Sequence, residues 1–183
     1  VCQDIDSQMV SSVVEDEILY GLENFGVPKD QIEHQLASSL EAMGIEALRD
    51  RTTDSLSGGQ KQKVALASII ALEPRVLVLD EPTAELDPVS SVSVFKLLKD
   101  YAQKNNMTIV VVEQKIALLS HYADLLLVLD QGTIRFCDTP EAVLAHSAEL
   151  LEIGINCPRS TSLINQLRHD GLHRRPPAPA VDG

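Results

Sequence analysis

A chain of 183 residues suits one core of ordinary size with a small appendage, and 44% hydrophobic content places it among globular proteins. Aromatics make up only 3% and Trp is absent, so the core is expected to be aliphatic. A net charge of -12 excludes the overall basic footprint of a nucleic-acid or anionic-lipid binder.

The chain opens on Val1-Cys2-Gln3-Asp4 without a Met, so it is expected to be the C-terminal part of a longer protein. Over residues 28–44, Ile32, Leu36, Leu40 and Met43 fall on one helical face, with Pro28 at the start and Gly44 as the stop. A second helix is expected from Gly59 to Leu72, ending before Pro74, with Val64, Leu66, Ala67 and Ile70 covering a wide apolar face. Val76 to Leu79 is a continuous apolar run closed by Asp80-Glu81-Pro82, the pattern of a strand buried on both faces of a parallel sheet.

Helix Pro88 to Lys104, strand Thr108 to Glu113, helix Lys115 to Tyr122 and strand Leu125 to Leu129 follow, completing a βαβαβ order that argues for an α/β layered domain. Asp130-Gln131-Gly132 is a hairpin turn into Thr133 to Cys137, adding an antiparallel edge. Thr139-Pro140-Glu141 caps a short helix, and Ser160 or Thr161 starts another carrying Leu163, Ile164 and Leu167. The closing RRPPAPAVDG has nothing to bury and is expected to be disordered. The longest apolar run, Leu125 to Leu129, is strand-sized, so membrane association is expected to come through a partner. Cys2, Cys137 and Cys157 read as reduced, buried thiols.

The stretch DSLSGGQKQK, Asp54 to Lys63, places Ser57 and the amides of Gly58 and Gly59 at a helix start, where orphan donors and the helix dipole favour a phosphate. The usual other half of such a site, G-x-x-x-x-G-K-[ST], does not occur in the 183 residues. VLVLDEPT sets two carboxylates at the end of a buried strand, the ordinary ligand edge of an open α/β sheet. Asp80 is placed to hold Mg²⁺, and Glu81 to orient or deprotonate a water attacking a nucleotide's last phosphate.

LSGGQ (Leu56 to Gln60), then DEP (Asp80 to Pro82), then AELD (Ala84 to Asp87), with Gln3 at a strand-to-loop exit, resembles the ATP-binding cassette (ABC) ATPases in order and spacing. The resemblance implies a P-loop NTPase-like α/β core, mostly parallel sheet with flanking helices, plus a helical signature subdomain, with the N-terminal part outside this chain. It further implies that two such chains pack head to tail, as a homo- or heterodimer, so that each signature closes over the partner's ATP. By that likeness Ser57, Gly58, Gly59 and Gln60 contact nucleotide, Asp87 contacts the partner, and Gln3 reaches the Mg²⁺ and relays nucleotide state. The family usually carries a switch His after the second strand, whereas this chain reads VVVEQKIALL, with Gln114 at that catalytic position. Gln donates a hydrogen bond but carries no charge and shuttles no proton, which puts hydrolysis at the Glu81 site in question.

Residues 3–28 and the stretch GINCPRSTSLINQLRHDGL are similar to the ATPases of energy-coupling factor (ECF) importers of vitamins and of cobalt or nickel ions. That likeness implies a subunit peripheral to the cytoplasmic face of the membrane, driving import through a transmembrane subunit docked around Gln3 to Glu23. Glu15, Asp16, Glu17 and Glu23 either suit a basic coupling residue there or form a solvated acidic face. The expected organisation is 1–75 glutamine loop and helical signature subdomain, 76–137 catalytic core, 138–173 helical extension and 174–183 tail. Two other readings compete: a degenerate regulatory half that lends its signature to a partner ATPase, and a DNA-repair type relative, against which the acidic charge argues.

Overall fold

Val14, Ile18 and Leu22 recur every four residues and are fully buried, which makes α1 (Val14–Asn24) a one-faced helix that the sequence reading leaves unassigned. Its first amides find acceptors outside the helix: Val14 N donates to Arg51 O at 3.1 Å and Glu15 N to Arg49 O at 3.0 Å. The same region is closed by a single antiparallel bridge, Val13 to Thr52. A computed structural model of the chain describes residues 9–158 and Asn165. The chain divides into two compact units, Val1–Gln114 and Lys115–Gly183.

In the first unit, α2 (Lys29–Met43) buries Leu36, Leu40 and Met43, and Gly44 ends it in the left-handed conformation at φ +60°, as its pattern predicts. Helix α3 (Gly58–Ile70) packs against both α1 and α2 and buries Val64, Ala65, Leu66, Ala67 and Ile70, so its apolar face is wide rather than a stripe. Strand β1 (Val76–Asp80) pairs in parallel with β2 (Thr108–Val112), register Val76 to Thr108 through Asp80 to Val112. Helix α4 (Pro88–Asn105) is the crossover that a parallel pair requires.

The expectation that β1 is buried on both faces is corrected. Leu77 and Leu79 are buried, but Val76 and Val78 are 57% and 60% exposed. On β2, Val110 and Val112 are exposed as well, so among the described residues of this unit one face of the pair joins the helical core and the other is open. A continuous apolar run states that both faces tolerate burial; it does not supply the layer that covers the second one.

In the second unit, α5 (Ile116–Tyr122) precedes β3 (Leu126–Asp130) and β4 (Thr133–Asp138), an antiparallel hairpin. Gln131 and Gly132, at φ +47° and +78°, form its two-residue turn, whose paired positive φ values match the twist of the strands. Leu126, Val128, Val143, Leu144 and Leu150 make the core of this unit. Where one short helix is expected after Thr139 there are two, α6 (Pro140–Ala145) and α7 (Ser147–Glu152), parted at His146. Asn165 Nδ2 donates to Leu144 O at 2.7 Å and to Ser147 Oγ at 2.9 Å, tying a later residue to the end of α6. Apart from Asn165, the helix expected from Ser160 or Thr161 lies outside the described residues, as do the tail, Cys2 and Gln3.

Candidate functional site

Ser57 is the N-cap of α3 in a reciprocal capping box. Its Oγ accepts from Gln60 N at 3.4 Å, and its own N–H donates to Gln60 Oε1 at 2.9 Å. Gln60 is therefore first a capping residue, a role the sequence reading missed although the S-x-x-Q spacing announces it. Accepting that bond leaves the Ser57 hydroxyl proton available to an outside acceptor, and Ser57 and Gly58 are both exposed.

The two glycines differ. A Cβ on Gly58 would meet nothing within 4 Å, whereas one on Gly59 would lie 3.2 Å from Ser90 Oγ and 3.5 Å from Ser90 Cβ, on α4. A side chain at position 59 would thus need the Ser90 side chain to give way, whereas position 58 has room among the described residues. Gly58→Ala is accordingly expected to raise helix stability by about 0.5 kcal/mol, and Gly59→Ala to lower it by about 1 kcal/mol. Paired thermal melts check the opposite signs.

Asp87 is the N-cap of α4, with Pro88 behind it at the first helical position. Its Oδ1 accepts from Val89 N at 2.9 Å and Ser90 N at 3.0 Å, and its Oδ2 from Ser90 Oγ at 2.5 Å. The Ser90 hydroxyl, then the backbone amides, hold the Asp87 carboxyl below its ordinary range. Because the folded value lies below the unfolded one, the cap's contribution is complete above the usual carboxylate range. It is lost only as pH falls through the lowered value.

At the end of β1 the backbone turns sharply: Glu81 has φ +45°, in the left-handed region, and its N–H donates to Val112 O at 2.8 Å. A non-glycine residue stays there only when its surroundings fix it. The fixing groups are on the strand exit opposite. Gln114 Nε2 donates to Glu81 Oε1 at 2.5 Å, and Gln114 N donates to Glu113 Oε1 at 3.0 Å. Fully buried Thr83 donates its hydroxyl to Glu113 Oε2 at 2.5 Å. The structure thus brings Glu81 and Gln114 together, and it adds Thr83 and Glu113, which sequence reasoning passed over; their adjacency to Glu81 and Gln114 was the only signal.

Asp80 is exposed beside them, and no group of three or more His, Cys, Asp or Glu able to hold a metal occurs among the described residues. One carboxylate at a strand end is the donor set Mg²⁺ uses when phosphates and water complete its shell, so Asp80 fits that ion and would not make a protein cage. A cavity of 390 Å³ beside the signature is lined by Ser57, Gly59, Gln60 and Lys63 of α3, by Val89, Ser90, Ser93 and Val94 of α4, and by Gly44 to Leu48 residues beyond α2. Neither Asp80 nor Glu81 lines it.

The acidic stretch of α1 separates into two kinds of residue. Glu15 is engaged by Arg49 at 2.6 Å, and Arg49 also grips Glu33 through both guanidinium nitrogens, at 2.6 and 2.9 Å. That grip lowers the Glu33 carboxyl and raises the Arg49 guanidinium. Glu17 is buried, and its Oε2 accepts from Val10 N at 2.9 Å and Ser11 N at 2.7 Å. Glu15 and Glu17 thus spend their charge within the chain, which leaves Asp16 and Glu23 for either reading of this acidic stretch. Asp16, Tyr20 and Glu23 remain exposed at i, i+4 and i+7 on one face.

The expected burial of the thiols is corrected as well: Cys137 is exposed on β4 and Cys157 is half-buried, its thiol pushed up by what burial it has. No helix among the described residues is long and apolar enough to cross a membrane.

Residues 2–84 match the ABC transporter family. The chain is 36% identical over 178 residues to the energy-coupling factor transporter ATP-binding protein EcfA1 of Caldanaerobacter subterraneus subsp. tengcongensis, covering 94% of this chain and 62% of that protein. It is 36% identical over 168 residues to EcfA2 of Clostridioides difficile, covering 90% of this chain and 58% of that protein. Among solved structures, CbiO1 of Clostridium perfringens, part of the ABC transporter complex CbiONQ, superposes with a TM-score of 0.75 at 34% identity, covering 88% of this chain and 64% of that one. The chain spans about three fifths of the length of these curated relatives.

Proposed function

We propose that the chain comes from an ABC transporter ATP-binding protein of the energy-coupling factor type, and that this protein is an ATPase subunit that powers substrate import through a membrane partner; the match of residues 2–84 to the ABC transporter family and the 36% identity to EcfA1 and EcfA2 support the reading. The observation that carries this reading is the strand-end arrangement in which Glu81, turned out at φ +45°, is held by Gln114 beside exposed Asp80. A carboxylate so fixed can align a water and take its proton as phosphoryl transfer proceeds.

Asp80 would hold the Mg²⁺ that accompanies ATP, and the ion would supply charge neutralisation on the phosphates. The Ser57 hydroxyl and the amides at the start of α3 would bind the terminal phosphate of an ATP presented by a second ATPase chain, homologous or identical, because open Gly58 allows backbone to approach it. Asp87 heads α4 in this interface. Gln3 would read the Mg²⁺ and the attacking water. The cargo is a vitamin or a transition-metal ion chosen by a separate membrane protein, and the subunit works at the cytoplasmic face.

Docking on the membrane partner uses the exposed face of α1, where Asp16 and Glu23 flank Tyr20 and offer two exposed carboxylates to a basic coupling segment. Asp16→Lys with Glu23→Lys is expected to weaken assembly at least tenfold without lowering the melting temperature. Co-purification with the membrane partner checks it, and wild-type recovery would move the docking surface elsewhere.

A second reading has an observation of its own. Gln114 anchors Glu81 yet cannot shuttle a proton, as a regulatory half that only lends its signature to a partner would tolerate. The test of the main reading is Mg²⁺-dependent phosphate release by the full-length protein assembled with its partners. No release in any assembly would overturn it.

A further inference from the structure

We propose that Thr83 and Glu113 are positioning residues that set the aim of Gln114 and, through it, of Glu81. This rests on the reading above that Glu81 acts on the water attacking ATP.

Thr83 stands in the turn that follows β1, just past Glu81, and Glu113 and Gln114 follow directly on β2. Thr83 is fully buried, so its hydroxyl needs a partner inside the protein. It donates to Glu113 Oε2 at 2.5 Å. The other oxygen of that carboxylate, Oε1, accepts from Gln114 N at 3.0 Å, and Gln114 Nε2 donates to Glu81 Oε1 at 2.5 Å. The path from Glu81 along the chain to Thr83, across to Glu113, on to Gln114 and back to Glu81 is therefore a closed ring. A second link, from Glu81 N to Val112 O at 2.8 Å, joins the same two segments through backbone alone.

The two links do different work. The backbone bond holds the turn against the strand exit whatever the side chains do. It does not decide where Gln114 points, and a glutamine side chain has many rotamers, so its tip wanders unless its base is fixed. Glu113 fixes that base: its carboxylate takes the Gln114 amide and is itself held by the hydroxyl of a residue packed inside the protein. Hydrogen bonds to an ionised carboxylate are roughly twice as strong as neutral ones, which makes both ends of this bridge firm. Gln114 then meets Glu81 already aimed, and a carboxylate held by one oxygen presents the other in a defined direction.

The test is Thr83→Val in the full-length protein assembled with its partners, since valine keeps the buried shape and removes the hydroxyl. The kcat for ATP is expected to fall about five- to twentyfold with KM within about twofold, because the aim of Glu81 matters to the chemical step and not to nucleotide binding. Thr83→Ser restores the hydroxyl and is expected to return kcat to within about twofold of wild type. Hydrogen exchange of the Gln114 backbone amide is expected to quicken by about threefold or more in the valine variant, with the Glu81 amide unchanged. Glu113→Ala removes the acceptor at a half-buried position and is expected to give the same fall in kcat, so the outcome does not hang on the valine variant folding. An unchanged kcat in an assembly that hydrolyses ATP, a serine variant as slow as the valine one, or an unchanged Gln114 amide overturns the proposal. An assembly whose wild type releases no phosphate counts against the ATPase reading instead, and the Gln114 amide then decides the Thr83 to Glu113 link alone.

Discussion

Under the proposed ATPase reading, Glu81→Gln is expected to lower ATP turnover of the assembled protein by about 100-fold or more and to leave nucleotide affinity nearly unchanged. The asymmetry follows from what the substitution keeps. Glu81 Oε1 accepts from Gln114 Nε2, and a glutamine at position 81 offers an amide oxygen in the same place. The left-handed turn at φ +45° is also anchored by the backbone bond to Val112 O, which the side chain does not make. The loop therefore holds its shape while the carboxylate proposed to take a proton from water is lost. Single-turnover phosphate release and nucleotide binding, measured side by side, separate the two effects. Undiminished turnover would assign Glu81 no part in chemistry and make the regulatory-half reading the leading one.

Glu17→Ala is expected to cost about 2–4 kcal/mol, the second large effect. The carboxylate is buried and satisfies two backbone amides at once, those of Val10 and Ser11, through a single oxygen. Alanine leaves both donors without that acceptor in a part-buried site. The segment these amides belong to is stitched on its far side by Thr53, whose N–H donates to Ser12 O at 2.9 Å and whose hydroxyl donates to Ser11 O at 3.1 Å. Loosening residues 10–12 should therefore also loosen Thr53 and the turn that leads into Ser57. A melting temperature lowered by about 5–12 °C, with faster proteolysis near Val10, is the expected outcome. Glu17→Gln, which keeps one acceptor oxygen, should recover roughly half of the loss. An unchanged melt for the alanine variant would show that the loop carries its own stability.

These two residues also mark how differently the site and the fold can be read. Glu81 stood out from its strand-end position and its company of motifs. Glu17 stood out only as one of several acids, because sequence shows charge and not where a charge is directed. Three neighbours on one helix turn took three different roles: Glu15 pairs with Arg49, Asp16 stays in solvent, and Glu17 turns inward to backbone amides. Arg49 and the Val10–Ser11 loop, which decide this, are distant along the chain or on the far side of the helix start.

By itself the sequence determined the helices with a strong apolar period, the Asp130–Gly132 hairpin turn, the cap at Thr139, and the order of motifs, since each depends on residues within a few positions of one another. Helix α1 was legible too, through Val14, Ile18 and Leu22, and went unassigned for want of a clear start signal: its N-cap is Val13, and its first amides are satisfied by the backbone of Arg49 and Arg51. Only the tertiary structure decided which face of β1 is buried, that a side chain at 59 would meet Ser90 while one at 58 would meet nothing among the described residues, and that Gln114 grips Glu81. Each of these is a meeting of residues some thirty positions apart, set by how α4 crosses from β1 to β2. Local propensity has no term for such a contact; packing does.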